Sequence, residues 1–428
     1  MKTTVRSVAT VVAFFASMAM AMAQSAILLQ RLDQVGALTR PMAVVDESLF
    51  TKEFLAAVPP DKLVQAIRQL TSSAGSYVSA SITAQRGDHA CTGALRMSGK
   101  VTVPVELTLE SAPPHRIAGL FLRPPVPDAA SVNDVVAELR ALPGRTALAI
   151  TNLSTGVSVA AYGHDVPMPL GSSFKLFVLG ELVRSIKGGQ RAWTDVVPLD
   201  SARRSYPSGE MHTWPHGSPV TLHTLALKMM SISDNTATDA LIRHLGRTNI
   251  EQVQQQMGNT SMQRNIPFLT TREFFQLKFS DGGDRARRYL RMKPSQRKIM
   301  LEEELRSLHY DDVQFTEDVI LPDSVEWFAS MQDMVTCMDW FRRQSENEAG
   351  KPALDILGIN PGITIDSTTW PYVGFKGGSE SGVVCLVYLL RHRSGEWYGV
   401  SAAWVNPSAA VDAVAFAGKV QRMVELIP

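Results

Sequence analysis

Strict alternation of apolar and polar side chains marks the clearest element in the first third of the chain. Val101, Val103, Val105, Leu107 and Leu109 fall on one face, Thr102, Glu106 and Thr108 on the other, which predicts a strand with one side on a core. Upstream, Leu63, Ile67 and Leu70 keep helical spacing behind Pro59-Pro60-Asp61, where a proline suits the first helical turn. Ile117 to Leu122 reads as a further strand, so helices followed by an antiparallel sheet predict a small α+β unit. Arg123-Pro124-Pro125-Val126-Pro127-Asp128 then breaks the pattern and is expected to be a stiff, extended linker, with the boundary near Asp128.

Beyond that boundary the periodicity changes repeatedly. Val132 to Leu142 is helical; Thr146 to Leu153 and Val157 to Tyr162, joined by Ser154-Thr155-Gly156, predict a hairpin. Helical segments fill the middle, including Leu222 to Ile232 and Thr236 to Leu245. Strands are expected again at Val383 to Leu390 and Trp397 to Val405, and a last helix at Ala409 to Leu426. The implied architecture is an antiparallel sheet built from both ends of a unit with helices inserted between. A polar stretch from Phe279 to Asp323, with helical patterning at Lys298 to Leu308, is either a cover for the active site or a solvated surface feature.

Length and composition narrow this picture. A chain of 428 residues with 45% hydrophobic and 19% charged residues is ordinary globular material, long enough for two domains. The 42 basic and 41 acidic side chains nearly cancel, so charge draws it neither to nucleic acid nor to an anionic membrane. Lys2 and Arg6 precede an uncharged apolar run, Val8 to Met22, that closes in Ala21-Met22-Ala23. This predicts a signal peptide over residues 1–23, an exported protein that is periplasmic or secreted, and no stable membrane anchor after cleavage. The expected division is therefore signal peptide 1–23, small α+β domain 24–128 and main domain 129–428. Cys91, Cys337 and Cys385 lack paired spacing for zinc or a redox dithiol, and no metal or cofactor is expected.

Three short motifs carry chemistry. In Leu170-Gly171-Ser172-Ser173-Phe174-Lys175, followed by an apolar helical run, residues three apart share a face, so Lys175 can approach the Ser172 hydroxyl while Ser173 points elsewhere. Burial would lower the lysine pKa and let a neutral amine accept the serine proton. Ser233-Asp234-Asn235 lies between two apolar helices, where Ser233 can relay a proton, Asn235 can bond a substrate and Asp234 can brace the turn. Its structural alternative is a simple helix cap. Phe375-Lys376-Gly377-Gly378-Ser379, at the head of a strand-like run, offers positive charge and glycines that permit close backbone approach; its alternative is an exposed turn.

Taken in this order, the three motifs resemble those of the class A β-lactamases and penicillin-binding proteins, over roughly Ser131 to Pro428. The resemblance implies a β-lactamase-like α+β domain, an antiparallel sheet flanked by helices plus a helical lobe. It also implies Ser172 as nucleophile, Lys175 and Ser233 as proton carriers, and Asn235, Lys376, Gly378 and Ser379 as substrate-binding positions. The backbone N–H groups of Ser172 and Ser379 would form the oxyanion hole, and the substrate would be a small ester, a β-lactam or a peptidoglycan-like molecule.

Two positions depart from class A. No Glu-x-x-Leu-Asn loop follows the second motif, and the one nearby acid, Glu273, sits in Thr270-x-x-Glu273, a capping-box pattern. Gly377 stands where those enzymes carry a hydroxyl. With Tyr206-Pro207-Ser208-Gly209, Trp214-Pro215-His216-Gly217 and Thr270-Thr271-Arg272-Glu273, these departures resemble a smaller group, the two-domain esterase-like protein of the clavulanic acid pathway and related mycobacterial lipoproteins. That likeness implies a first domain like the nuclear transport factor and steroid isomerase cone, and ester or slow β-lactam acyl transfer. The alternatives are a β-lactamase with a non-standard deacylation base, a peptidoglycan carboxypeptidase, and a covalent sensor that does not turn over.

Overall fold

The computed structural model describes residues 26–428, and the expected signal peptide lies outside the described residues. By backbone contacts the chain forms two units, one running to Ala130 and including Ala417–Arg422, the other Ser131–Phe416 with Met423–Pro428. No helix among the described residues is long and apolar enough to cross a membrane.

The first unit opens with helices α1 (residues 26–37), α2 (Lys52–Ala57) and α3 (Pro60–Thr71). Strands β1 (Tyr77–Gln85), β2 (Ala90–Met97), β3 (Val101–Leu109) and β4 (Ile117–Leu122) then form an antiparallel meander. The alternation in β3 works as expected: Val103, Val105, Leu107 and Leu109 are buried, packed with Leu95 and Met97 of β2 and with Leu28, Leu32, Leu63 and Ile67 from the helices. Gly93 lets α1 approach, since a Cβ there would lie 2.4 Å from a Leu32 methyl. The 123–128 segment is not a free linker. Val126–Pro127 forms a short strand, β5, paired with Val101–Thr102, because Val126 and Pro127 find a buried place beside β3 that solvent does not offer.

In the second unit, α4 (Val132–Arg140) leads into β6 (Arg145–Asn152) and β7 (Ser158–Tyr162), the expected hairpin. A short β8 (Met168–Pro169) precedes a 3₁₀ turn over Gly171–Phe174 and helix α5 (Lys175–Lys187). The helical part continues through the β9–β10 ribbon (Val196–Pro198, Pro219–Thr221), α6 (Leu222–Ser231), α7 (Asn235–Leu245), α8 (Arg247–Gln256) and α9 (Thr271–Phe279). After α10 (Asp284–Leu290) and α11 (Pro294–Ile299), a π-helical turn at Met300–Leu305 and a loop bring the chain to β11 (Phe328–Ala329), which pairs with β8. Helices α12 (Met331–Gln344) and α13 (Lys351–Gly358) then precede β12 (Tyr372–Glu380), β13 (Val383–Arg391), β14 (Trp397–Val405) and α14 (Ala413–Glu425). The sheet runs β12-β13-β14-β6-β7, antiparallel throughout, so both ends of the unit build it.

Two expectations change here. Phe375 to Ser379 lie inside an edge strand rather than at the head of one, because every residue from Tyr372 to Glu380 has a partner on the strongly apolar β13. The last helix starts at Ala413 instead of Ala409, since Asp412 accepts the Ala415 N–H at 2.8 Å and begins the helix there. The sheet packs on α12, and α5 is buried almost around its whole circumference, with Leu176, Phe177, Val178, Leu179, Leu182 and Val183 in the core. Each of those large side chains is worth roughly 2 kcal/mol of burial. Only its last turn, Arg184 to Lys187, reaches solvent, and its first residue, Lys175, is sealed inside.

Candidate active site

The turn before α5 is pinned from three sides. Phe174 stacks on Trp327 with centroids 3.7 Å apart and meets Phe268 edge-on. Ser173 is fully buried and turned away from the cleft, with Oγ 3.1 Å from the Cys385 carbonyl and 3.3 Å from that of Lys376, which locks β12 and β13 to the turn. Backbone fits directly against backbone at the glycines. Gly171 adopts φ +47°, and a Cβ at Gly378 would lie 2.3 Å from both the Leu170 carbonyl oxygen and the Ser172 nitrogen. Only glycine admits that approach, and it sets the Ser172 N–H beside Ser379.

Lys175 is completely buried, and its amine donates to the Ser233 carbonyl at 2.6 Å, Ser233 Oγ at 3.0 Å and Asn235 Oδ1 at 2.7 Å. Lys376, also buried, donates to the same Ser233 hydroxyl at 3.1 Å and to the Gly377 carbonyl at 2.5 Å. One hydroxyl thus accepts from two amines. Burial holds the Lys175 pKa well below the usual lysine range, and repulsion from Lys376 adds to it, while Asp239 and Asp234 oppose. Burial alone brings Lys376 to about 7. No hydrogen bond joins Lys175 to Ser172 Oγ among the described residues: the two share a helical turn as the spacing predicts, but the amine is engaged by the Ser233 loop.

That loop is held in an uncommon conformation. Ser233 has φ +56°, a left-handed geometry that costs a non-glycine residue about 1 kcal/mol. Asp234 braces it, accepting the N–H groups of Glu210 at 2.7 Å, Met211 at 2.8 Å and Ala237 at 2.9 Å, so that it caps α7 and ties the loop to residues 210–211 at once. The motif is both a cap and a cleft wall. Asn235 is buried with its carbonyl oxygen on Lys175, which leaves its Nδ2 without a partner among the described residues.

Ser172, Ser233, Asn235, Gly377, Gly378 and Ser379 line one cleft of about 300 Å³, closed on its apolar side by Phe275, Val384 and Leu386. Residues 279–323 contribute nothing to its lining, so the polar stretch does not cover it. Glu273 also stays outside it: its carboxylate receives the Thr270 N–H at 2.7 Å, completing the capping box, and pairs with Arg247 at 2.6 Å. All three cysteines are buried and free. Among the described residues no group of histidine, cysteine or acidic side chains could hold a metal ion.

Several contributors had no sequence signal. Asp239 of α7 is fully buried and accepts from Thr271 N at 2.7 Å, Thr271 Oγ1 at 2.8 Å and Arg272 N at 3.0 Å, tying α7 to α9. Behind the turn, Lys278 donates to both oxygens of Glu380 at 2.6 and 2.7 Å, with Glu326 alongside. Burial raises both glutamates, Glu326 most, and one Glu326 oxygen has no partner. Two carboxylates facing one ammonium out of water leave one carboxyl protonated.

A family model described as the β-lactamase enzyme family matches residues 129–298. That segment, about two fifths of the chain, is similar to this family. The matched segment holds Ser172, Lys175 and the Ser233 loop but ends before β12, which joins them only in three dimensions. Among solved structures, a β-lactamase from Sphaerobacter thermophilus aligns at 20% identity over 70% of this chain and 98% of its own, with a TM-score of 0.51. A β-lactamase from Chitinophaga pinensis aligns at 13% over 69% and 96%, TM-score 0.49, and PBP-A at 18% over 68% and 93%, TM-score 0.47. At 20% identity the likeness to the Sphaerobacter thermophilus structure is one of fold. No curated protein sequence matches the chain.

Proposed function

We propose that the protein is a serine hydrolase that forms an acyl-enzyme on Ser172 from a small ester or β-lactam-type substrate. The observation that carries this reading is the Ser233 hydroxyl held between two buried, acidified amines at the mouth of the Ser172 cleft. Ser172 Oγ attacks the substrate carbonyl carbon while its proton passes to neutral Lys175. The N–H groups of Ser172 and Ser379 receive the oxyanion, each such donor being worth about 3 kcal/mol of barrier. The proton then moves from Lys175 through Ser233 to the leaving oxygen or nitrogen as that bond breaks. Before substrate binds, the Lys175 amine rests on Ser233 and Asn235; alignment on Ser172 belongs to the occupied site.

A slow second half-reaction is favoured by the cleft itself, because no acidic residue lines it and Glu273 is fully engaged elsewhere. The second reading, a covalent sensor for β-lactams or peptidoglycan-like molecules, draws on the same fact. Export and cleavage after residue 23 belong to this proposal, as does a cone-like first domain, which the antiparallel meander with bulges near Ile82 and Thr108 supports. Time-resolved intact mass spectrometry with a penicillin and an acetoxymethyl cephalosporin, on wild type and Ser172→Ala, tests the whole. A persistent adduct means a sensor and rapid recycling means a hydrolase. No Ser172-dependent adduct with either compound, and no Ser172-dependent hydrolysis in an ester screen, removes the reading.

A further inference from the structure

A second concavity lies on the other side of α9, and its lining is unusual in charge. It measures about 320 Å³ and brings together Arg203, Arg243, Arg247, Arg272 and Arg306, against only Glu273 and Glu302. An adjoining hollow of about 310 Å³ shares Arg272 and Arg306 and adds Arg204 with its partner Asp311, 3.1 Å away. Some of these guanidinium groups are already satisfied. Arg247 is held by Glu273 at 2.6 Å and the Phe268 carbonyl at 2.5 Å, and Arg272 by the carbonyls of Arg204 and Leu308, both at 3.1 Å.

The others are held more loosely, Arg203 only by its ion pair with Asp200. Arg243 and Arg306 donate to no described residue, and the carboxylate nearest Arg203 is that of Asp200, at 3.7 Å. Asp239 offsets part of the Arg243 charge, but its oxygens are hydrogen-bonded to Thr271 and Arg272 and none is donated to by Arg243. Glu302 is exposed and lies 3.8 Å from Lys298. Arg243 is partly desolvated; Asp239 and Asp200 attract it while Arg203 and Arg272 repel it. Arginine cannot shed its proton to relieve this, so the positive charge persists in the hollow. Guanidinium groups present fixed forks of donors that match the oxygens of phosphate and carboxylate. A recess of this size suits a compact ligand.

We propose that this arginine-lined cleft binds a small multivalent oxyanion, phosphate-bearing or polycarboxylate, at a site separate from the Ser172 cleft. Arg203, Arg243 and Arg306 contact the ligand, and Arg247 and Arg272 form the fixed wall. The site stands whether or not Ser172 is acylated, so its test reads binding instead of turnover.

Full-length protein is melted with pyrophosphate, citrate or inorganic phosphate against chloride at matched ionic strength, and the same titrations are repeated on Arg243→Gln/Arg306→Gln. Wild type should show a saturable rise in Tm of about 3 °C or more with at least one of these multivalent anions, and the double variant less than about half of that rise. A response to pyrophosphate alone identifies a phosphate-bearing ligand, and one to citrate alone a polycarboxylate. If the double variant does not fold, Arg306→Gln, which removes an exposed and unpaired side chain, takes its place. The proposal is overturned by the lack of a saturable response to any of the three anions, or by an equal response in wild type and variant.

Discussion

Gly378→Ala tests the geometry of the site more sharply than removal of any reacting group. The added methyl would sit 2.3 Å from the Leu170 carbonyl oxygen, 2.3 Å from the Ser172 nitrogen and 2.5 Å from the Ser173 nitrogen, all backbone atoms of a turn clamped by Phe174, Trp327 and Ser173. Van der Waals contact requires roughly 1 Å more, so either β12 retreats or the turn is displaced by that amount. Either movement separates the Ser172 and Ser379 N–H groups, and misplacement of about 1 Å, or loss of one oxyanion donor, slows the chemical step by about 10²-fold. Stopped-flow acylation by a chromogenic cephalosporin reads this directly, with intact mass confirming the site and calorimetry confirming a cooperative melt. Gly377→Ala is the control: its methyl meets the Phe375 ring at 2.7 Å and a Leu386 methyl at 3.3 Å, both movable side-chain ends. It should cost about 1 kcal/mol of stability and leave acylation near the wild-type rate. The reasoning fails if folded Gly378→Ala acylates within about threefold of wild type.

Three further outcomes follow from the same contacts. With Lys376 at about 7, acylation by a carboxylate-bearing cephalosporin, divided by that for a neutral ester, should fall as pH rises through that value, and Lys376→Met should flatten the ratio. The folded state gives up this proton from about 7 upward while the unfolded chain keeps it to 10.5, so the lysine's contribution to stability grows across that window, and Lys376→Met removes this rise in pH-dependent melts. Glu326 is the opposite case: its raised pKa makes stability fall as pH climbs above the ordinary carboxyl value of 4.5, so Glu326→Gln should raise Tm by about 2 °C more at pH 8 than at pH 4.5. Trp327→Ala should destabilise the second unit by about 4 kcal/mol in urea melts, because it removes a buried ring stacked on Phe174 and Phe274.

What could be read in the sequence was local. The alternation of β3, the apolar runs of β13 and β14 and the helix behind Lys175 carry their period in consecutive residues, and the Thr270–Glu273 capping box is complete within four positions. The strand status of Lys376-Gly377-Gly378-Ser379 was not legible, because glycines have no strand preference and β12 exists through its pairing with β13. Val126–Pro127 reads as linker for the same reason: a valine and a proline become a strand only beside Val101 and Thr102. The Lys278–Glu380 pair spans about a hundred residues with no periodic mark, and the arginine cleft gathers α7, α9 and the turns around residues 203 and 306. Convergence of this kind follows from packing, which no short window records.

The lifetime of the acyl-enzyme turns on where a base could come from. Glu380 follows Ser379 directly and is the acid closest in sequence to the oxyanion position, yet both its oxygens are bound by a fully buried Lys278, and turning one toward a water would break half of a buried ion pair. The protonated carboxyl beside it cannot accept a proton from water. A hydroxyl side chain at position 377 would require the Phe375 ring, stacked on Tyr388 with centroids 4.7 Å apart, to shift. What remains within reach of a water beside the ester is the Lys175–Ser233–Lys376 relay itself. A base that must first receive the Ser172 proton and then pass it on can serve again only after that proton has left. Under the proposed mechanism this order of events favours substrates whose leaving group carries the proton away.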